Sequence, residues 1–222
     1  MSDGGGEAQA YQGAQDAFDS VSDFSALHFL AEQAVSRIST ATLVRIVKVS
    51  NTPGKIAPIG TVDVLPLVNQ VDGYGNATKH QVVHKLSYFR YHGGNNAVIL
   101  DPQVDDIGIA VFADRDVSSV KANQDQANPG SLRRFDMADG LYVGRCLSKD
   151  DPEQYLRFFK EDDKQGVQAH DKNGNDVLMN DQGITVTDKS NNKIVMNTDG
   201  ITITDKSGNK IVMSSTGINL NP

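Results

Sequence analysis

Few residues of this chain stand in patterns that catalysis requires. Ser131, in Asn128-Pro129-Gly130-Ser131, lacks the G-x-S-x-G elbow that exposes a nucleophile, and Cys146 has no activating partner in view. No G-x-x-x-x-G-K-[ST] phosphate loop occurs. His80 and His84 fall in a strand-like stretch, where a spacing of four puts them on one sheet face about 13 Å apart by rise, a surface or core setting rather than a ligand pair. Asp105, Asp106, Asp114 and Asp116 could be drawn as a metal or glycosidase cluster, yet Asp beside Gly or Arg at strand ends ordinarily terminates strands. Arg115, between two of these aspartates, reads as an anchor for a loop or a subunit contact through ion pairs. The most suggestive pattern is Asp-Lys-x-x-Asn, beginning at Asp171, Asp188 and Asp205, whose spaced oxygens resemble a calcium loop. An EF-hand loop needs Gly at its sixth position, where this chain has Asp176, Lys193 and Lys210, and lysine repels a cation. These segments therefore read as tight turns with Gly and Asn at positive φ. The chain is read as no enzyme, with no catalytic, cofactor-binding or metal-ligating residue and no cofactor.

The turns belong to a 17-residue unit written three times, DKNGNDVLMNDQGITVT, DKSNNKIVMNTDGITIT and DKSGNKIVMSSTGINLNP, with Gly183, Gly200 and Gly217 in register. Gly166 falls 17 residues before Gly183, so 166–169 reads as a degenerate fourth copy, and the four glycines are taken as repeat turns. Each copy holds two β-branched runs, hence two strands, and alternation puts Ile201 and Ile203 on one face and Thr202 and Thr204 on the other. Only one face is oily. A single chain then has strands with open edges and half a core. Pooling the apolar faces of several chains, with neighbouring chains supplying missing strand partners, predicts an intertwined trimeric β-helix or prism about 30 to 40 Å long at ordinary strand spacing. Its dry core would be Ile184, Val186, Ile194, Met196, Ile201, Ile203, Ile211, Met213 and Ile218.

Upstream, residues 1–23 form an acidic, solvated tail, part of a net charge of −7. An acidic chain without a basic stripe argues against nucleic acid as a partner. The single cysteine excludes an internal disulfide, the start MSDGGGE lacks a secretory pattern, and no apolar run is long enough for a spanning helix, so synthesis in a reducing cytosol is expected. Phe24, Leu27, Leu30, Ala34, Val35 and Ile38 recur at helical spacing over 24–40, with Ser22 or Asp23 as cap, and that stripe either packs on its own domain or docks on a neighbouring protein. Strand patterns follow at 42–49, 59–68, 81–90, 96–100, 107–113 and about 140–146, with turns at Pro53-Gly54 and Gly73/Gly75. They suggest a small barrel over 41–147, with Gly93-Gly94 and Gly108 supplying turns or bulges. Residues 148–169 connect the barrel to the array at 170–222. The fold is thus mainly β, with an amino-terminal amphipathic helix, an OB-fold-like barrel and a carboxy-terminal trimeric β-helix or prism.

Pro66-Leu67-Val68-Asn69-Gln70, Gly93-Gly94, Asp114-Arg115-Asp116 and Asn128-Pro129-Gly130-Ser131, ahead of such an array, resemble the central spike (baseplate assembly protein V-like) family of contractile-tailed phages. The resemblance covers nearly the whole chain from about residue 40. It implies an OB-fold domain carrying a homotrimeric needle in the virion tail baseplate, made in the host cytoplasm. It also implies a structural protein that meets the baseplate hub at the end of the tail tube and pierces the host outer membrane during tail contraction. On that reading the stripe Phe24, Leu27, Leu30, Val35 and Ile38 docks on the hub. Some members end in a His-x-His iron site, whereas here the last copy runs GINLNP, so no metal is carried over, and a separate PAAR-like protein would cap the tip at Pro222. No lysozyme-sized insertion follows the barrel. The competing readings are a trimeric polysaccharide depolymerase, which needs a groove of paired carboxylates, and a nucleic-acid-binding OB-fold, for which Phe89-Arg90-Tyr91 is the support.

Overall fold

The computed structural model of the protein describes residues 23–51, 56, 59–71, 76–161 and 164–221. The acidic tail before Asp23, the Ser22 cap, the Pro53-Gly54 and Gly73/Gly75 turns and the Pro222 tip lie outside the described residues. The chain divides into two units, residues 1–149 and 150–222.

In the first unit, helix α1 (Asp23–Ser36) begins on an aspartate, which favours the positive end of the helix dipole. Its apolar side chains stand in solvent, Phe24 at 78 % exposure and Leu27 at 66 %. The strands are β1 (Ala41–Ser50), β2 (Thr61–Pro66), β3 (Gln70–Val71), β4 (Ala77–Thr78), β5 (Val83–Tyr88), β6 (Tyr91–Gly93), β7 (Asn96–Val98), β8 (Ile107–Phe112) and β9 (Gly140–Leu147). β1, β2, β5, β9 and β8 close in that order into a barrel. The β5–β9 pair is parallel and the other barrel pairs are antiparallel. Strict alternation in β2 sends Val62, Val64 and Pro66 inward, where the valines join Val44, Ile46, Leu86, Tyr88, Ala110 and Tyr142 in the core. Each such side chain, once buried, stabilises the fold by about 1.5–3 kcal/mol. The strand expected at 96–100 forms as β7, but it pairs with β6 outside the barrel, because all its residues are exposed and it has no face to bury.

Register shifts in the β1–β2, β2–β5 and β8–β9 pairs tighten the barrel. At Gly108 the β8–β9 register shifts, and a Cβ there would lie 2.0 Å from the Gly144 carbonyl oxygen, so only glycine fits. In β5 the extra residue is Lys85, at φ 59°, and its N–H donates to Asp63 Oδ1 at 2.9 Å. His84 Nδ1 lies 3.0 Å from Asp63 Oδ2. The Lys85 N–H first, and then His84, hold the Asp63 carboxyl below its ordinary range. His80 precedes β5, so the two histidines do not share a strand face as expected.

The second unit is a single antiparallel meander of β10 (Tyr155–Glu161), β11 (Lys164–His170), β12 (Asp176–Asn180), β13 (Gly183–Thr187), β14 (Lys193–Asn197), β15 (Gly200–Thr204), β16 (Lys210–Ser214) and β17 (Gly217–Leu220). Each 17-residue copy supplies two strands. Gly166 departs from the expectation of a turn: it sits inside β11, opposite Phe159 and Asn180, because the β10–β11 pairing runs on to Glu161 and Lys164. A second expectation is also corrected. Every inner strand of the array pairs on both sides within its own chain, so neighbouring copies are not needed as strand partners there. What one chain lacks is a cover for its apolar face.

Candidate functional site

Directly opposed residues in an antiparallel sheet project to the same face, so the register identifies that face without ambiguity. Val186 opposes Ile194, Ile184 opposes Met196, Met196 opposes Ile201, and Ile194 opposes Ile203. Ile201 opposes Met213, Ile203 opposes Ile211, and Met213 opposes Ile218. All nine residues singled out in the sequence therefore lie on one face. Pairing adds seven more: Leu156 and Phe158 of β10, Val167 and Ala169 of β11, Val177 and Met179 of β12, and Leu220 of β17. The signal for Leu156, Phe158, Val167 and Ala169 was period-two alternation upstream of the copies, whereas Val177, Met179 and Leu220 lie within them. From β12 to β17 the face carries no charged or hydrogen-bonding side chain, Lys160 and its partner Gln165 standing on it only at the end of the β10–β11 pair, and it is uncovered: Ile194 and Ile203 are each 37 % exposed, Leu220 72 % and Phe158 78 %. A contiguous apolar surface of this kind marks an interaction site. On the opposite face the middle column alternates threonine and valine, Thr185, Val195, Thr202 and Val212.

Two kinds of turn bound the sheet. Along one margin, Asp181-Gln182, Thr198-Asp199 and Ser215-Thr216 lead into Gly183, Gly200 and Gly217 at φ 126°, 130° and 129°. A Cβ on Gly183 or Gly200 would meet the carbonyl oxygen of Met196 or Met213 at 2.0 Å. Asn180 and Asn197 brace the first two of these turns, accepting the N–H of Gln182 at 3.0 Å and of Asp199 at 2.9 Å.

Along the other margin each Asp-Lys-x-x-Asn turn is a closed hydrogen-bond clamp. Asp188 Oδ1 accepts the N–H groups of Ser190 and Asn192, both at 2.8 Å, and its Oδ2 accepts Asn192 Nδ2 at 2.7 Å. Asp171 with Asn173 and Asn175, and Asp205 with Ser207 and Asn209, repeat the arrangement. The asparagine side-chain amides first, then their backbone N–H groups, hold all three aspartate carboxyls below the ordinary range. The fourth turn residue has φ 90°, 66° and 89° in Gly174, Asn191 and Gly208, which explains the Gly/Asn/Gly variation among the copies. The asparagine also links copies: Asn175 Oδ1 accepts the Lys189 N–H at 3.0 Å and Asn192 Oδ1 the Lys206 N–H at 2.9 Å. In the last copy Asn221 takes that place through its side chain, Nδ2 donating to Asn209 Oδ1 at 3.2 Å. The repeated Asp and Asn four residues apart was the visible trace of this clamp.

On the barrel, two motifs far apart in sequence come together. Asp116, nearly buried, accepts Ser131 Oγ at 2.6 Å and the Ser118 N–H at 2.9 Å, and the Ser118 side chain first, then Ser131 and the Ser118 N–H, depress its carboxyl. The cation that joins it is Arg133, 3.2 Å from both Asp116 and Asp139, and not Arg115, which is exposed. Asp114-Arg115-Asp116 and Asn128-Pro129-Gly130-Ser131 thus clip together the long β8–β9 connection, which also holds α2 (Ser118–Asn123). Asp106 pairs with Arg145 at 3.3 Å. Arg90, 5 % exposed, donates through Nε and Nη2 to Asp101, each at 2.7 Å, which leaves its guanidinium no free face for a phosphate. Phe89 and Tyr91 flank it on the surface in an edge-to-face pair. Among the described residues no helix is long and apolar enough to cross a membrane.

No curated protein matches the chain. Residues 163–222 match the family described as the phage baseplate V C-terminal trimerisation domain. That span takes in the clamps, the glycine turns and nearly the whole apolar face, and the match supports a homotrimer, a structural role and a place in the virion tail. The match over residues 163–222, together with the uncovered face, supports a baseplate spike protein family for that part of the chain.

Proposed function

We propose that three copies of this chain form the central tail spike, which pierces the host outer membrane when the tail contracts. The observation that carries this reading is the uncovered apolar face on a sheet whose inner strands already have their hydrogen-bond partners. Three such faces turned inward make a dry core, centred on Ile184, Val186, Ile194, Met196, Ile201, Ile203, Ile211, Met213 and Ile218. The clamps and glycine turns stiffen the shaft along its length. Eight strands at a spacing of about 4.8 Å give a shaft of about 34 Å. The spike works by transmitting force, and its chemistry ends at folding.

The barrel order, with β5 and β9 parallel, fits the Greek-key OB-fold. In this reading the barrels and the exposed stripe of α1 seat on the hub that ends the tail tube. The far end of the array, toward Pro222, receives a separate PAAR-like tip protein before transient contact with the outer membrane.

Ile203→Asp tests the proposal. It sets a carboxylate among Ile194 and Ile211, where burial without a partner costs several kcal/mol or more. Light scattering should show a trimer for the parent chain and a monomer for the variant, with the barrel still folded. Phage tails assembled with the variant should contract without releasing periplasmic enzyme. A monomeric parent would overturn the trimer, and outer-membrane breach by the variant tails would overturn the piercing role.

A further inference from the structure

The two margins of the array differ in charge. Lys172, Lys189, Lys193, Lys206 and Lys210 all lie at the clamp margin, in the turns or at the first residue of β14 and β16, and all are exposed. Asp171, Asp188 and Asp205 have their carboxylates committed to their own turns, and Asp176, at the first residue of β12, pairs with His170. The glycine-turn margin carries Asp181 and Asp199, both exposed, and no lysine or arginine in its turns from Asp181 to Thr216. Among the described residues none of these lysines or the two aspartates makes an ion pair within the chain.

Cyclic symmetry uses this difference. When copies pack side by side around an axis along the array, each contact is heterologous, so the clamp margin of one copy meets the glycine-turn margin of the next. When two copies pack head to tail about an axis along the strands, like margins meet. We propose, building on the trimer reading above, that the margins are a charge-matched seam between copies. In this seam Lys189 and Lys193 of one copy face Asp181 and Asp199 of the next. In chain order the turn holding Lys189 lies between those holding Asp181 and Asp199, one strand step of about 4.8 Å from each, within reach of a lysine side chain. Each exposed pair adds little stability. Their effect is on choice of partner, because like charges brought together in the head-to-tail arrangement repel. The seam therefore selects trimers whose three chains run in the same direction.

The test uses the full chain with Cys146→Ser, which removes the one native thiol, and a short bis-maleimide as probe. Asp199→Cys alone and Lys189→Cys alone should remain single-chain bands on denaturing gels, whereas the two substitutions in one chain should shift the protein to two-chain and three-chain bands. Light scattering on the same samples separates the two levels of the argument. A monomeric parent chain sinks the trimer itself. A trimer in which either single-cysteine variant cross-links to dimers, or in which the double variant fails to cross-link, sinks the seam alone.

Discussion

Gly200 and Gly217 stand at equivalent positions of the repeat with nearly the same φ, 130° and 129°, yet their surroundings differ. Only Gly200 has the next strand's backbone against it, the Met213 carbonyl oxygen lying 2.0 Å from where a Cβ would be, whereas Gly217 faces open space. Gly217→Ala should therefore carry only the conformational cost of a strained φ, about 1–3 kcal/mol. Gly200→Ala should cost distinctly more, because β16 must also move. Thermal unfolding of the two variants checks this, and equal losses would show that the close approach relaxes freely. At this scale the sequence was only partly legible. The identity of the glycines showed that a turn was needed, but not that two of them are also wedged against a neighbouring strand. Likewise Arg133 could not be told from Arg115 as the partner of Asp116, since a through-space pairing across the β8–β9 connection leaves no local pattern.

The clamp turns act as elements, and their chemistry makes the array sensitive to acid. The folded carboxyls of Asp171, Asp188 and Asp205 lie below the ordinary aspartate value of about 3.9. A depressed folded-state value means that the contribution to stability is complete above the unfolded value and is lost as pH falls through it toward the folded one. The melting temperature of the array should be level above about pH 5 and fall below about pH 4. Replacing all three aspartates by asparagine should lower the plateau and flatten the fall, and an array that melts higher in acid would contradict the clamp. The strands themselves were readable in advance, since the period of two in β13 to β16 marks one oily face. The barrel strands were found within a few residues, except that β7 belongs to a hairpin. The partnering was not readable, because alternation shows which face is apolar but not whether the adjacent strand comes from the same chain. That distinction turned the expected interchain ladder into a self-contained sheet with an open face.

At the scale of the molecule, the barrel and the array are separate units, and the buried core of the chain lies in the barrel. Ile46→Ala, at a fully buried barrel position, should destabilise the barrel by about 2–5 kcal/mol. Calorimetry should then show the barrel transition moved down while light scattering still shows a trimer. Loss of the trimer would mean that the barrels take part in holding the copies together. The whole molecule also has a modular length. Each copy after the first brings both its own clamp and the lysine N–H that completes the clamp before it, and in the last copy the Asn221 side chain takes the lysine's place. A unit spliced between Thr204 and Asp205 would meet every bond it needs on either side, lengthening the shaft by two strands, about 10 Å. One appended after Asn221 would first have to displace a side chain already seated. The array is therefore a ruler that is extended from within, its reach written as a count of its graduations.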